Sequence, residues 1–162
     1  MKIMTRLLLC ACLALPLAAC QDEADTQETV RAPVTAPQTD DRDAWRAYLN
    51  DVVGRNMEGI FNQPYVYLVP TDDGEEDFAA EYERLAERAE TDLARGIVRG
   101  NLLAYAGHES SSVADMVLRA FENVPDGSME GVRVLFIGDA ADNARVEQAV
   151  SPAGVEYIFI EK

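Results

Sequence analysis

The residues best equipped for chemistry in this 162-residue chain fall in three short stretches: Thr71-Asp72-Asp73, Gly107-His108-Glu109-Ser110 and Gly138-Asp139-Ala140-Ala141-Asp142. Asp72, Asp73 and Asp139 offer hard carboxylate oxygens, the kind that hold Mg²⁺ with water completing the shell. His108, the sole histidine, stands beside Ser110, Ser111 and Ser112, which supplies the residue types of a base and a hydroxyl nucleophile. A strand-to-helix turn there would also aim N–H groups at an anion. Plainer accounts compete at each position and are preferred: acids and serines ahead of helices act as caps, and His108 faces solvent. No dinucleotide or nucleotide-triphosphate glycine loop, G-x-S-x-G elbow, H-x-x-x-H or C-x-x-C spacing occurs. No catalytic residue, metal or cofactor is therefore assigned; Asp72, Asp73, His108, Ser110 and Asp139 stand as a candidate ligand or cation loop set.

Whether those stretches meet depends on the elements around them. Residues 41–57 place Trp45, Tyr48, Leu49, Val52 and Val53 on one helical face, with Asp40, Asp41 and Asp43 loading its start and Gly54 as its stop. Ile60 and Phe61 are expected to anchor the irregular stretch that follows. Tyr65–Val69 reads as a buried strand ended by Pro70. Asp72 with Glu75 forms a capping-box variant for a long helix over 75–95, closed by Gly96. Then come a strand at Leu102–Ala106, a helix with Val113, Met116, Val117, Ala120 and Phe121 on one face, and a strand at Val132–Ile137. A short helix to Val150, capped by Asp139 or Asp142, leads to a last strand at Val155–Ile160.

Strands separated by helices imply a parallel sheet with right-handed crossovers. The expected fold is a small α/β domain over 41–162: an open, mostly parallel four-stranded sheet with helices on both faces. Strand order 2-1-3-4 is preferred by analogy with flavodoxin-like sheets, which would set the three stretches around a switch point. The paired acids after the first strand are similar to those of response-regulator receiver domains. Those domains also need a lysine near the last strands, and Lys162, at the end of the chain, is the only candidate, so the comparison stops there. The last strand, if it is an edge, can accept a partner strand.

A basic start (Lys2, Arg6) and an apolar run from Leu7 to Leu17 lead into Leu17-Ala18-Ala19-Cys20. Pro16 interrupts the run, which falls short of the ~20 apolar residues that span a bilayer. This start resembles the signal and lipobox of bacterial lipoproteins. The resemblance implies that residues 1–19 are removed, with Cys10 and Cys12 among them, and that Cys20 is lipidated, anchoring the chain to an envelope membrane. Gln21 after the cysteine favours the periplasmic face of the outer membrane over the inner membrane. The mature chain would then have no free thiol for a disulfide, zinc site or nucleophile.

Residues 20–40 carry the anchor and a linker too polar to order, spanning about 25 Å root-mean-square. Losing residues 1–19 leaves 12 basic and 29 acidic side chains, net −17. Nucleic acid is excluded as a partner, because backbone binding needs clustered positive charge. The expectation is a non-catalytic protein-binding module acting on another envelope protein. The alternative is a small-ligand or divalent-cation-binding domain, possibly enzymatic, using the three stretches.

Overall fold

The structure is a computed structural model that describes residues 32–72, 74 and 77–162. It contains an all-parallel four-stranded sheet and four helices. In chain order these are α1 (Arg42–Arg55), β1 (Tyr65–Val69), α2 (Phe78–Ala94), β2 (Leu102–Gly107), α3 (Ser110–Phe121), β3 (Arg133–Gly138), α4 (Ala140–Val150) and β4 (Glu156–Glu161). The α/β class and its element sequence match the expectation. Strand order does not: the strands lie β1-β2-β3-β4.

The physical reason lies in which strands tolerate burial on both sides. Every residue of β2 is buried, as are Val134 to Gly138 of β3, so these two occupy the centre. β1 is only partly covered and is bracketed by Pro64 and Pro70, which lack the N–H groups that a central strand needs. Each strand is laid beside its predecessor without reversal. Every right-handed crossover then delivers its helix to the same side. Accordingly α2, α3 and α4 pack with Tyr67, Leu103, Tyr105, Val134 and Phe136 on one face. On the other face Leu102, Ala104, Ala106, Leu135 and Ile137 meet α1, through Trp45, Tyr48, Leu49, Val52 and Val53, with Ala36 in the same cluster.

Asp41 caps α1, accepting from the N–H groups of Asp43 and Ala44. The helix runs one residue past Gly54, the expected stop, and closes at Asn56. Arg133 then fixes that end, donating to the carbonyls of Asn56 (2.6 Å) and Glu58 (3.0 Å) and pairing with Glu156 of β4. Residues 32–40, ahead of α1, also pack against it. Trp45 buries its ring and needs an acceptor for its indole N–H, which the Thr39 carbonyl provides at 2.8 Å, while Ala36 is buried in the same cluster. Residues 1–31, including Cys20, lie outside the described residues.

Phe61 corrects a second expectation. Ile60 does pack against the α1-side core, but Phe61 is 75% exposed. Its ring lies over Gly100, where a Cβ would approach within 2.2 Å, and Gly100 has a φ of +83° that glycine alone adopts without strain.

On the three-helix side, the Tyr67 and Tyr105 rings stack at 4.7 Å. Tyr67 donates to the Asp92 carboxylate at 3.0 Å, whereas the Tyr105 hydroxyl is buried with no partner among the described residues. Burial raises the pKa of both tyrosines, and the nearby Asp92 carboxylate reinforces it. An unpaired buried hydroxyl costs roughly 1–3 kcal/mol. Tyr105→Phe is therefore expected to leave stability unchanged or raise it, while Tyr67→Phe lowers it by about 1–2 kcal/mol. Urea unfolding of the two variants checks this; equal losses would contradict it.

Candidate functional site

Because all four strands are parallel, the three chemistry-bearing loops emerge at the same end of the sheet, at the carboxyl ends of β1, β2 and β3. Among the described residues no hydrogen bond, ion pair or shared cleft joins all three. Asp72 is exposed, and among the described residues its carboxylate accepts only from the N–H of Gly74, within its own turn. It caps no helix: α2 starts at Phe78 behind Asp77, and Asp73 and Glu75 lie outside the described residues. His108 is half-buried beside Thr71 and Glu81 in a cleft of about 140 Å³ on the β1 side. Among the described residues no hydrogen bond joins its imidazole to a serine.

Ser110 goes the other way, toward β3. The residue is 4% exposed, and its hydroxyl donates to Asp142 at 2.5 Å and accepts from the N–H of Asp139 at 2.8 Å. The expected serine caps are absent, since α3 begins at Ser110 itself behind Glu109, with no side-chain cap. Ser112 instead donates to the Glu109 carboxylate. Asp139 precedes α4 without capping it. Gly138 makes the serine contact possible: a Cβ there would stand 2.7 Å from the Ser110 hydroxyl.

Around this tie the sequence left several residues unassigned. Arg145 pairs with Asp142 and with Asp115 (2.5 Å) and donates to the Ser111 carbonyl, joining α4 to α3. Lys162 reaches back from the end of β4 to the His108 carbonyl and lies 3.7 Å from Asp139. The Asp142–Arg145 spacing was a readable i,i+3 pair; the reach of Lys162 depends on strand order and had no local signal.

Burial alone would raise the pKa of Asp142, but the hydrogen bonds from Ser110 and Arg145, with the Arg145 and Lys162 charges, hold it below the usual carboxylate value. A carboxylate held ionised is a poor base for a serine, and this serine is enclosed. The arrangement locks the β2–α3 and β3–α4 turns together.

Among the described residues no three His, Cys, Asp or Glu side chains stand close enough to hold a metal ion. No helix among them is long and apolar enough to cross a membrane. Comparison with protein-family models, curated proteins and solved structures finds no match.

Two outcomes follow for the tie. Ser110→Ala is expected to cost about 1–3 kcal/mol, since it orphans the Asp139 N–H and removes a donor from Asp142. A folded-state pKa below the unfolded value makes the Asp142 contribution present above the usual carboxylate value and lost as pH falls through the lowered one. The stability gap between wild type and Asp142→Asn should therefore shrink from pH 7 to about pH 3 in urea titrations. An unchanged gap would contradict the assignment.

Proposed function

We propose that this chain is a lipoprotein anchored through Cys20, and that its folded domain is a non-catalytic module binding another envelope protein on the periplasmic face of the outer membrane. The Leu17-Ala18-Ala19-Cys20 motif supports the anchor. A groove of about 710 Å³ supports the binding half. It runs along α1, across β1, to α2, and its floor is apolar, with Leu49, Val53, Val66 and Leu68. Arg42, Arg46 and Arg88 rim it, and among the described residues that line it none is acidic.

That lining is unusual for this chain. Residues 1–31 hold 3 basic and 4 acidic side chains, which leaves 11 against 25 for residues 32–162. A groove whose described lining carries three arginines and no acid therefore departs from the composition around it. Its arginines pair with Glu81, Asp43 and Asp92, but their own side chains stay more than half exposed. The Arg42–Glu81 and Arg46–Asp43 pairs are exposed on both partners, and exposed pairs contribute little and exchange readily for another carboxylate. The groove fits an acidic, amphipathic segment: its charge would steer the approach and its apolar side would cover the floor.

The test uses the full chain in its own envelope. Mass spectrometry of the mature N-terminus is expected to find a lipidated Cys20 as the first residue; an unmodified cysteine or a different cleavage site would overturn the anchor. A photo-crosslinker at Asn50, exposed on α1 at the groove, is expected to capture a discrete envelope protein. Arg42→Glu with Arg46→Glu should cut that capture by about tenfold, a scale expected when charges that steer association are reversed. Absence of an adduct, or one indifferent to the charge reversal, would overturn the binding reading.

A further inference from the structure

The strand register determines which main-chain groups face outward at each edge of the sheet. On β4, the N–H of Glu156 donates to Val132 and the N–H of Lys162 to Gly138, so even-numbered residues point into the sheet. Tyr157, Phe159 and Glu161 therefore turn their N–H and C=O groups outward. Among the described residues no hydrogen bond reaches those groups. At the opposite edge the same accounting leaves only Val66 and Leu68 outward, between Pro64 and Pro70. Proline, bulges and inward-pointing charges are among the ways to blunt an edge. β1 has prolines at both ends; β4, Glu-Tyr-Ile-Phe-Ile-Glu, has none of the three.

We propose that β4 pairs with β4 of a second copy, antiparallel about a two-fold axis through Phe159, to form a continuous eight-stranded sheet. Self-complementarity selects this occupant. With the axis at Phe159, Tyr157 faces the partner's Glu161 and Phe159 faces the partner's Phe159. These are the outward-pointing residues, so each such pair exchanges two main-chain hydrogen bonds.

Between them Ile158 faces the partner's Ile160, and Glu156 faces the partner's Lys162. No acid opposes an acid, and like charges directly opposite are what destabilise strand pairs. Moving the axis by one residue to Ile158 leaves only two outward pairs within β4, sets Glu156 against the partner's Ile160 and takes Lys162 away from its acid. The excess of acid in each domain opposes association over long range, but exposed charges further apart than about 8 Å are largely screened at physiological ionic strength. The α1 groove lies at the β1 side of the sheet and is left free, so this surface is independent of the proposed function.

Cysteine crosslinking in the full-length, membrane-anchored protein tests both partner and register. Facing residues in a hydrogen-bonded antiparallel pair have Cα atoms about 5.5 Å apart, within disulfide reach. Phe159→Cys is expected to give a disulfide-linked dimer under mild oxidation. Glu161→Cys, more exposed but about 14 Å from its own copy in this register, should give about tenfold less. If Phe159→Cys fails to fold, Ile158→Cys with Ile160→Cys places two cysteines opposite each other in the same register and should crosslink equally. Overturning results are no dimer from folded variants, a Glu161→Cys dimer as strong as the Phe159→Cys one, or a disulfide to a different protein in place of the dimer.

Discussion

The chain lays its four strands side by side and never turns back, and most of what distinguishes this domain follows from that. Right-handed crossovers in a sheet that grows in one direction place every connecting helix on one face. The other face falls to whatever precedes the first strand, here α1. The helix is about 10 Å across, while the outer strands of a four-stranded sheet are about 14 Å apart before their side chains are counted. One helix cannot cover that width. The flanks of α1 stay open, and the segment through Ala36 covers only part of one of them.

The same constraint shapes the chemistry-bearing end of the sheet. Ligand crevices in open α/β sheets form where strand order reverses and neighbouring loops splay to opposite faces. With no reversal, the loops after β2 and β3 lean together and close on each other. Ser110, Asp142 and Arg145 are bonded into that closure. His108 and Asp72 stand on the β1 side, apart from it. What the fold leaves accessible is the margin of the sheet: an apolar groove rimmed by arginines on one side and an edge strand without proline or bulge on the other.

Much of this was legible in the residues. The apolar strands, the helical faces and the α/β class follow from periodicity, and the α1 core of Trp45, Tyr48, Leu49, Val52 and Val53 is the face its spacing marks out. Strand order was not legible through analogy, although Pro64 and Pro70 around β1 were a physical hint that it lies at an edge. Ser110 misled because serines ahead of a helix normally cap it. Its true partner lies 32 residues away, and only Gly138, with no Cβ to intervene, lets them meet. Phe61 misled because a large aromatic reads as core, whereas it covers a glycine turn from outside.

Residue-resolved amide exchange on the full chain tests the strand order and its open edge together. Val66 and Leu68 should exchange much faster than Tyr65, Tyr67 and Val69, because only the outer groups of an edge strand lack partners, while β2 and β3 stay protected throughout. At low concentration Tyr157, Phe159 and Glu161 should also exchange fast, and raising the concentration should protect these three and leave Val66 and Leu68 unchanged. Uniform protection along β1 would contradict the strand order. Fast exchange of Tyr157, Phe159 and Glu161 at every concentration would contradict the pairing of β4 with its copy.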